Sequence, residues 1–435
     1  MKKYLPILRL ILSEKSLLFH TIKVRFQGRM SDMKFIDAGW LIDGSGGPVL
    51  KNVRIGTEKE SIVSINESGF KDPSIKAADL SLCTILPPLV DSHVHLCMSG
   101  TVDPFVRKKQ LDINFADAKV VISNHIAQHL SHGVLAVRDG GDKYAHSLRY
   151  LNECHDIMES PVKIKVSGKA WHKAGRYGGL IGRPPEKNCS LAQAIKNCSD
   201  KIDYIKIVNS GLNSLKEFSK ETGPQFSIKE LSDAVKIAER LGLKVMVHAN
   251  GKKPVEFALV SGCHSIEHGF FMGDENLGLM AKKNIIWVPT ACTMKAYLEH
   301  MEKKSVEYDV TCMNLEHQLK QIENARKYGV TVALGTDSGS TGVHHGLAVK
   351  EELNLLITAG YSVPEAVKCA TFNGAELLGI NEFGHIARGE PATFIAIEGM
   401  PSDIPSSLSS IKAIFINGRI RYSDQAKSKD YCAWD

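Results

Sequence analysis

Between residues 85 and 337 the sequence alternates short apolar runs with longer stretches of helical period. No other feature restricts the fold as much. Eight runs read as strands: residues 85–95, 134–139, 162–168, 204–210, 244–249, 265–268, 285–290 and 331–337. Amphipathic patterns such as SIKELSDAVKIAERLG and EHQLKQIENARKYG lie between them. Short strands alternating with helices predict a parallel sheet covered by helices, hence an α/β fold. Eight such units in about 300 residues fit a closed (β/α)8 TIM barrel better than an open sheet.

Strand-rich text flanks this region on both sides. MKFIDAGWLIDGSG, NVRIGTEKESIVSINES and ADLSLCTILP precede it, and GHIARGEPATFIAIEG and SIKAIFINGRIRYS follow it. Chain ends tend to lie close together at a surface. Residues 33–84 and 385–425 are therefore expected to form one small composite β-sandwich domain, with the barrel in 85–384. Residues 1–32 form a basic extension with seven basic residues against two acidic ones, and so carry +5 of the formal +6. The rest is nearly neutral, so no nucleic-acid partner is expected. Its LPILRLIL segment, flanked by lysines, fits an interfacial helix. The preferred reading is that the extension lies upstream of a natural start at Met33.

The ten cysteines are scattered, without a Cys-x-x-Cys pair, which disfavours both a zinc ribbon and a disulfide framework. Reduced thiols in the cytoplasm are expected. No apolar run approaches the ~18 residues of a spanning helix, so no stable membrane insertion is expected. The sequence leaves homo-oligomerisation open.

The chemistry lies at the strand ends, where a barrel carries its catalytic groups. In PPLVDSHVHL, His93 and His95 alternate and so share one face. Lys206 (DYIKIVNSG), His248 (KVMVHAN), His268 (SIEHG) and Asp337 (ALGTDSG) close other predicted strands. A lone His-x-His carries little weight. Four imidazoles, a carboxylate and a lysine meeting at one mouth suit a divalent-metal site.

With these motifs in order, the sequence resembles the amidohydrolase superfamily of metal-dependent hydrolases over nearly all of residues 33–422. It is most similar to the branch of imidazolonepropionase-like enzymes and prolidase-type dipeptidases. The matching text is GVLAVRDGG (133–141), IKIVNSG (205–211), VHANG (247–251), IEHG (266–269), and LGTDS with HHGLAVKEEL (334–353). The resemblance implies two divalent metals, Zn2+ by expectation. His93 and His95 would hold the more buried one and His248 and His268 the second. An N-carboxylated Lys206 would bridge both, and Asp337 would complete the first site and act catalytically. An ammonium beside a dication is repelled, whereas a carbamate is an anionic ligand able to bridge metals about 3.5–4 Å apart.

The expected function is hydrolysis of an amide, peptide-like or cyclic amide C–N bond in a small molecule by a binuclear metal amidohydrolase. A mononuclear deaminase or imidazolonepropionase-like ring hydrolase is the alternative, and a non-catalytic scaffold of the same fold is the rival of another class. No acidic residue follows His248 closely, which together with Lys206 favours two metals. Strand one reads Pro-Pro-Leu where such relatives usually have Pro-Gly-Leu, and EPATFIAI also departs from common family text; neither touches an expected ligand.

Other expectations are softer. Glu267, His344, His345, Glu351 and Glu352 are candidates for orienting the ligands. Arg138, with Asp139, either braces the site or meets substrate. The glycine-rich WHKAGRYGGLIGRP (171–184) offers His172 and Tyr177 as substrate contacts, and it lacks a phosphate-cradling pattern. His125, His129 and His132 are assigned to the outer face of a helix. Cys97 is read as a small core or rim residue. Specificity is expected from residues 97–118, 171–190, 212–226, 291–312 and 338–346.

Overall fold

The computed structural model describes residues 33–67, 76–155 and 160–423. The basic extension 1–32 and the expected end of the β-domain at 424–425 lie outside them. The first strands are β1 (Met33–Leu41), β2 (Leu50–Glu58), β3 (Ser61–Asn66) and β4 (Ala77–Leu86). The middle of the chain carries β5 (Leu89–Val94), β6 (Val134–Asp139), β7 (Lys163–Val166), β8 (Ala170–Trp171), β9 (Gly182–Arg183), β10 (Tyr204–Val208), β11 (Lys244–Ala249), β12 (Ser265–His268) and β13 (Ile286–Val288). Three more follow: β14 (Phe394–Glu398), β15 (Ile411–Ile416) and β16 (Arg419–Ser423).

Strands from both ends of the chain share one seven-stranded sheet in the order β16-β15-β14-β4-β1-β2-β3. The joint is antiparallel, with Ile395 opposite Leu86 and Ile397 opposite Thr84. β1 alternates buried and less buried residues, the period-2 pattern of a sheet covered on one face. Its core contains Ile36, Val53, Ile55, Ile85, Phe394 and Phe415. The sheet curls until its β3 edge meets the chain ahead of β14, where Ile62 N donates to Glu390 O at 2.9 Å and Gly389 N to Ile62 O at 2.8 Å.

The middle strands are parallel and fall into two sheets, β5-β6-β7 and β13-β12-β11-β10-β8-β9. β5, β6, β10 and β12 are buried along their whole length, as strands covered on both faces must be. The expected strand at 85–95 is two strands, because Pro87 and Pro88 lack the N–H donors that would carry a ladder through. In place of the expected strand at 331–337 there are isolated parallel bridges, Trp287 with Val332 and, just beyond, Val94 with Ser338 and Ser338 with Ser340. The glycine-rich segment holds the unanticipated β8–β9 pair. At Gly182 an added Cβ would stand 1.9 Å from Ala170 O, so only glycine permits that approach.

Local signals fix the covering helices. Ser227 and Glu230 form a reciprocal cap on Ile228–Arg240, whose Leu231, Ala234, Val235 and Ala238 face the core. EHQLKQIENARKYG ends the helix Val306–Tyr328, which stops at the left-handed Gly329. Among the described residues, no helix is long and apolar enough to cross a membrane.

Candidate metal centre

The parallel strands and the segment at 337 bring all six expected residues together. His93, in β5, is fully buried and donates its Nδ1 proton to Glu267 Oε2 at 2.8 Å. His95, just beyond β5, donates Nδ1–H to Gly141 O at 2.9 Å. A carbonyl or carboxylate only accepts, so Nδ1 carries a proton in both rings and Nε2 holds the lone pair of each ring in its neutral form. Both Nε2 atoms face Asp337 Oδ1, at 3.6 Å from His93 and 3.3 Å from His95, and although burial lowers the His95 imidazole its bond to Asp337 raises it overall. The donor atoms of His93, His95 and Asp337 lie within 4.8 Å of one another, a grouping fit to hold a metal ion. Gly140 keeps the space open, since a Cβ there would stand 2.7 Å from His95 Cε1 and 3.2 Å from His93 Nε2.

The other three close on this group. Lys206 Nζ lies 3.3 Å from His93 Nε2, and the His268 ring centroid lies 4.9 Å from that of His93 and 4.6 Å from that of His248. His268 Nδ1 is engaged by Thr290 Oγ1 at 2.7 Å, leaving Nε2. His248 Nε2–H donates to Gly211 O at 3.2 Å, leaving Nδ1. Lys206 is only 1% exposed, and burial pulls its amine down to about 8 against the opposing pull of Glu267 and Asp337. Burial alone would raise the Asp337 carboxyl, but the His95 bond, His93 and His268 hold it well below the usual carboxylate range.

His268 and Asp337 both occupy the left-handed region, at φ 67° and 59°. Such residues cost about 1–3 kcal/mol each and persist only where the surroundings hold them. Asp337 N donates to His93 O at 2.7 Å, and His268 O accepts from Gln318 Nε2 at 2.6 Å and Trp287 Nε1 at 3.0 Å.

Of the two roles considered for Arg138, its contacts serve bracing. Its guanidinium donates to Ser92 O (2.7 Å), Ser265 Oγ (3.1 Å) and Glu267 Oε1 (2.7 Å), and it is buried away from the mouth. Burial would lift the Glu267 carboxyl, yet Arg138 and His93 draw it down to about 2. Glu352 instead caps the chain at Ala291 N and Cys292 N, at 3.1 and 2.7 Å. His125 and His129 are not on an outer face: both are buried, with His125 stacked on His345 at 3.9 Å and His129 Nε2 3.1 Å from His345 Nδ1. Cys97 is buried, in keeping with its core reading.

Tyr177 places its ring centroid 5.5 Å from that of His248, and burial pushes its hydroxyl up. His172 is folded beneath Gly178 and donates Nδ1–H to Lys173 O at 3.0 Å. A residue not singled out in the sequence fixes this loop. Buried Gln225 accepts from Lys173 N (2.9 Å) and donates to Tyr177 O (2.8 Å) and Ser210 O (3.0 Å). The glycine-rich loop is thereby latched to the segment after β10, which also receives the His248 proton. Arg107 and Tyr297 were also missed. They belong to the expected specificity segments, and Asp337 acts electrostatically on both.

A family model described as the amidohydrolase family matches residues 84–421. The chain belongs to the amidohydrolase family. A curated ochratoxinase from Aspergillus niger is 31% identical to this amidohydrolase over 195 residues, which cover 44% of this chain and 40% of that relative's length. The imidazolonepropionase of Phocaeicola vulgatus is 22% identical over 401 residues, covering 83% of this chain and 89% of its own. A crystal structure of a Xaa-Pro dipeptidase with methionine bound in its active site aligns with a TM-score of 0.74 at 25% identity, covering 90% of this amidohydrolase and 100% of that chain.

Proposed function

We propose that this amidohydrolase is a binuclear metal-dependent hydrolase that cleaves an amide, peptide-like or cyclic amide C–N bond of a small molecule. We read its parallel strands as one closed (β/α)8 barrel in 85–384, beside a composite β-sandwich domain built from 33–84 and the strands after 385. Two sets of main-chain bonds support closure. Trp287 N–Thr331 O (3.0 Å), Ser92 N–Leu334 O (2.9 Å) and His95 N–Ser338 O (2.7 Å) link β13 to β5 through residues 331–338, and Asp203 N–Val166 O (2.9 Å) links the β7 and β10 sides.

The observation that carries the functional reading is the convergence of four imidazoles, three of them (His93, His95 and His248) bonded to an acceptor-only oxygen, with Asp337 and the buried Lys206. His93, His95 and Asp337 would hold one divalent cation and His248 with His268 a second, with Zn2+ suited to this nitrogen and oxygen set. Lys206 would join them as a carbamate. Among the described residues its nitrogen bonds only to His93, and an amine lowered to about 8 is partly neutral and free to take up carbon dioxide. Bound divalent cations supply Lewis acidity and a water of lowered pKa. Asp337, ionised and steadied by Ser340 Oγ on Oδ2 at 3.0 Å, would accept a proton on its Oδ1 side and return it to the leaving nitrogen. Tyr177 and its latched loop would cover the substrate and limit water. The nine described cysteines are unpaired.

The test is to strip the protein of metal, reload it with zinc or manganese, count the ions per chain and screen dipeptides and N-acyl amino acids. Two ions per chain with amine release is the expected result. A single ion with an unmodified Lys206 would overturn the binuclear reading, and no turnover across the panel would overturn the hydrolase reading.

A further inference from the structure

The helix Pro104–Leu111 buries none of its residues, and its Phe105 is 83% exposed. A short helix without an apolar contact face gains little from packing, so polar attachments set its position. These converge on the mouth. Gln110 Oε1 accepts from Ser99 N (3.1 Å) and Ser99 Oγ (3.0 Å). Arg107 Nη1 donates to Ser99 O (2.9 Å), Thr101 O (3.4 Å) and Gly339 O (3.2 Å). Ser99 follows His95 by four residues and Gly339 follows Asp337 by two. The guanidinium is thus moored between the two loops that leave the metal centre.

All three bonds leave from one nitrogen. Among the described residues Arg107 forms no ion pair, and Nε and Nη2 bond to nothing, nor is either sealed from solvent. Burial lowers the Arg107 guanidinium, while Tyr297 and Asp337 oppose that effect, in keeping with three groups around one opening. A guanidinium fixed on one side with its two-donor edge free matches the planar, bidentate geometry of a carboxylate.

We propose that Arg107 determines specificity by binding a free carboxylate of the substrate on its Nε–Nη2 edge, so that N-acyl amino acids and dipeptide-like amides are preferred. The proposal deepens the hydrolase reading and rests on it for the bond broken. Arg107 donates to a carbonyl two residues from Asp337 and feels the charge of Asp337, so a carboxylate seated on its free edge lies on the same side of the site as the proposed catalytic carboxylate. That placement suits a substrate that carries its carboxylate close to the scissile amide, as an N-acyl amino acid does.

The experiment pairs N-acetyl-L-phenylalanine with its carboxamide, N-acetyl-L-phenylalaninamide, on the metal-loaded full chain, measuring both turnover and calorimetric binding. Wild type is expected to favour the acid at least tenfold. R107Q is expected to bring the acid-to-amide ratio of kcat/KM close to one, mainly through KM, and R107K to fall between. Melting curves show whether each variant is folded. An acid-to-amide ratio that R107Q and R107K leave unchanged, or a wild type indifferent to the carboxylate in both assays, overturns the proposal while the hydrolase reading stands. If neither compound turns over but wild type binds the acid at least tenfold tighter and R107Q abolishes that difference, the carboxylate site stands and the hydrolase reading loses its support.

Discussion

Glu267 Oε2 accepts the Nδ1 proton of His93 across 2.8 Å, and neither residue reaches solvent. The same carboxylate carries the charge of Arg138 through its other oxygen at 2.7 Å. One side chain therefore holds the Nδ1 proton of a histidine in the candidate metal centre and neutralises a buried guanidinium.

Glu267→Gln should damage both. An amide can donate to His93 as well as accept, so the lone pair on Nε2 is no longer secured. Metal affinity is expected to fall about 10–100-fold. Leaving Arg138 without its partner should cost about 3–5 kcal/mol of stability. Metal titration and denaturant unfolding read the two effects separately, and normal values in both would refute the role given to Glu267.

In the proposed mechanism, Asp337→Asn removes the proton acceptor and one metal donor while keeping the shape. We expect kcat to fall about 10²–10⁴-fold on any substrate the wild type cleaves. The assay needs saturating metal, with occupancy measured alongside, so that lost chemistry is separated from lost ion. Retained turnover would mean that the proton passes elsewhere.

Burial first, and then His125 and His132, lower the His129 imidazole to about 3. The unfolded chain protonates this group near 6.5, so between pH 6.5 and 3 the unfolded state binds more protons. Its stabilising share is complete above pH 6.5 and shrinks on acidification. The buried Asp91 and Glu352 carboxyls, both raised to about 7 by burial, have the opposite pH trend over that range. The cleaner measurement is therefore a difference. Relative to wild type, His129→Gln should gain up to about 1.4 kcal/mol per pH unit as pH falls below 6. A pH-independent difference in urea midpoints would show that His129 is not buried neutral.

Gln225→Ala cuts all three bonds of the latch between the glycine-rich loop and the segment after β10. Stranding those groups should cost about 1–3 kcal/mol locally. Hydrogen exchange over residues 173–181 should quicken and KM rise several-fold, while metal content holds. Unchanged exchange in that loop would remove Gln225 from any positioning role.

Much of the centre was legible because strand ends are periodic. His93 and His95 share a face by alternation, and His248 and His268 each stand at the close of a short apolar run, while Lys206 is the lone charge inside one. The parallel sheet was legible for the same reason, except where Pro87 and Pro88 divide one run into two strands. Arg138 gave no sign of facing inward onto Glu267, since a strand arginine reads the same whether it meets substrate or a buried carboxylate. Arg107 stands in an Arg-Lys-Lys run that looks like any solvated face, and only its three carbonyl contacts set it apart. His125 and His129 at i, i+4 suggested a polar face, whereas the partner that buries them, His345, lies more than 200 residues away.

The pairing of β14 with β4 also sets an order of events during synthesis. Leu86 leaves the ribosome about 300 residues before Ile395, which at roughly 5–20 residues per second is a delay of about 15–60 s. For that interval the side of β4 that β14 will occupy has no partner, and an open strand edge is a template for the wrong neighbour. The nascent chain thus passes through its most association-prone period before its last tenth exists, and shortening the protein from its C-terminal end would make that period permanent.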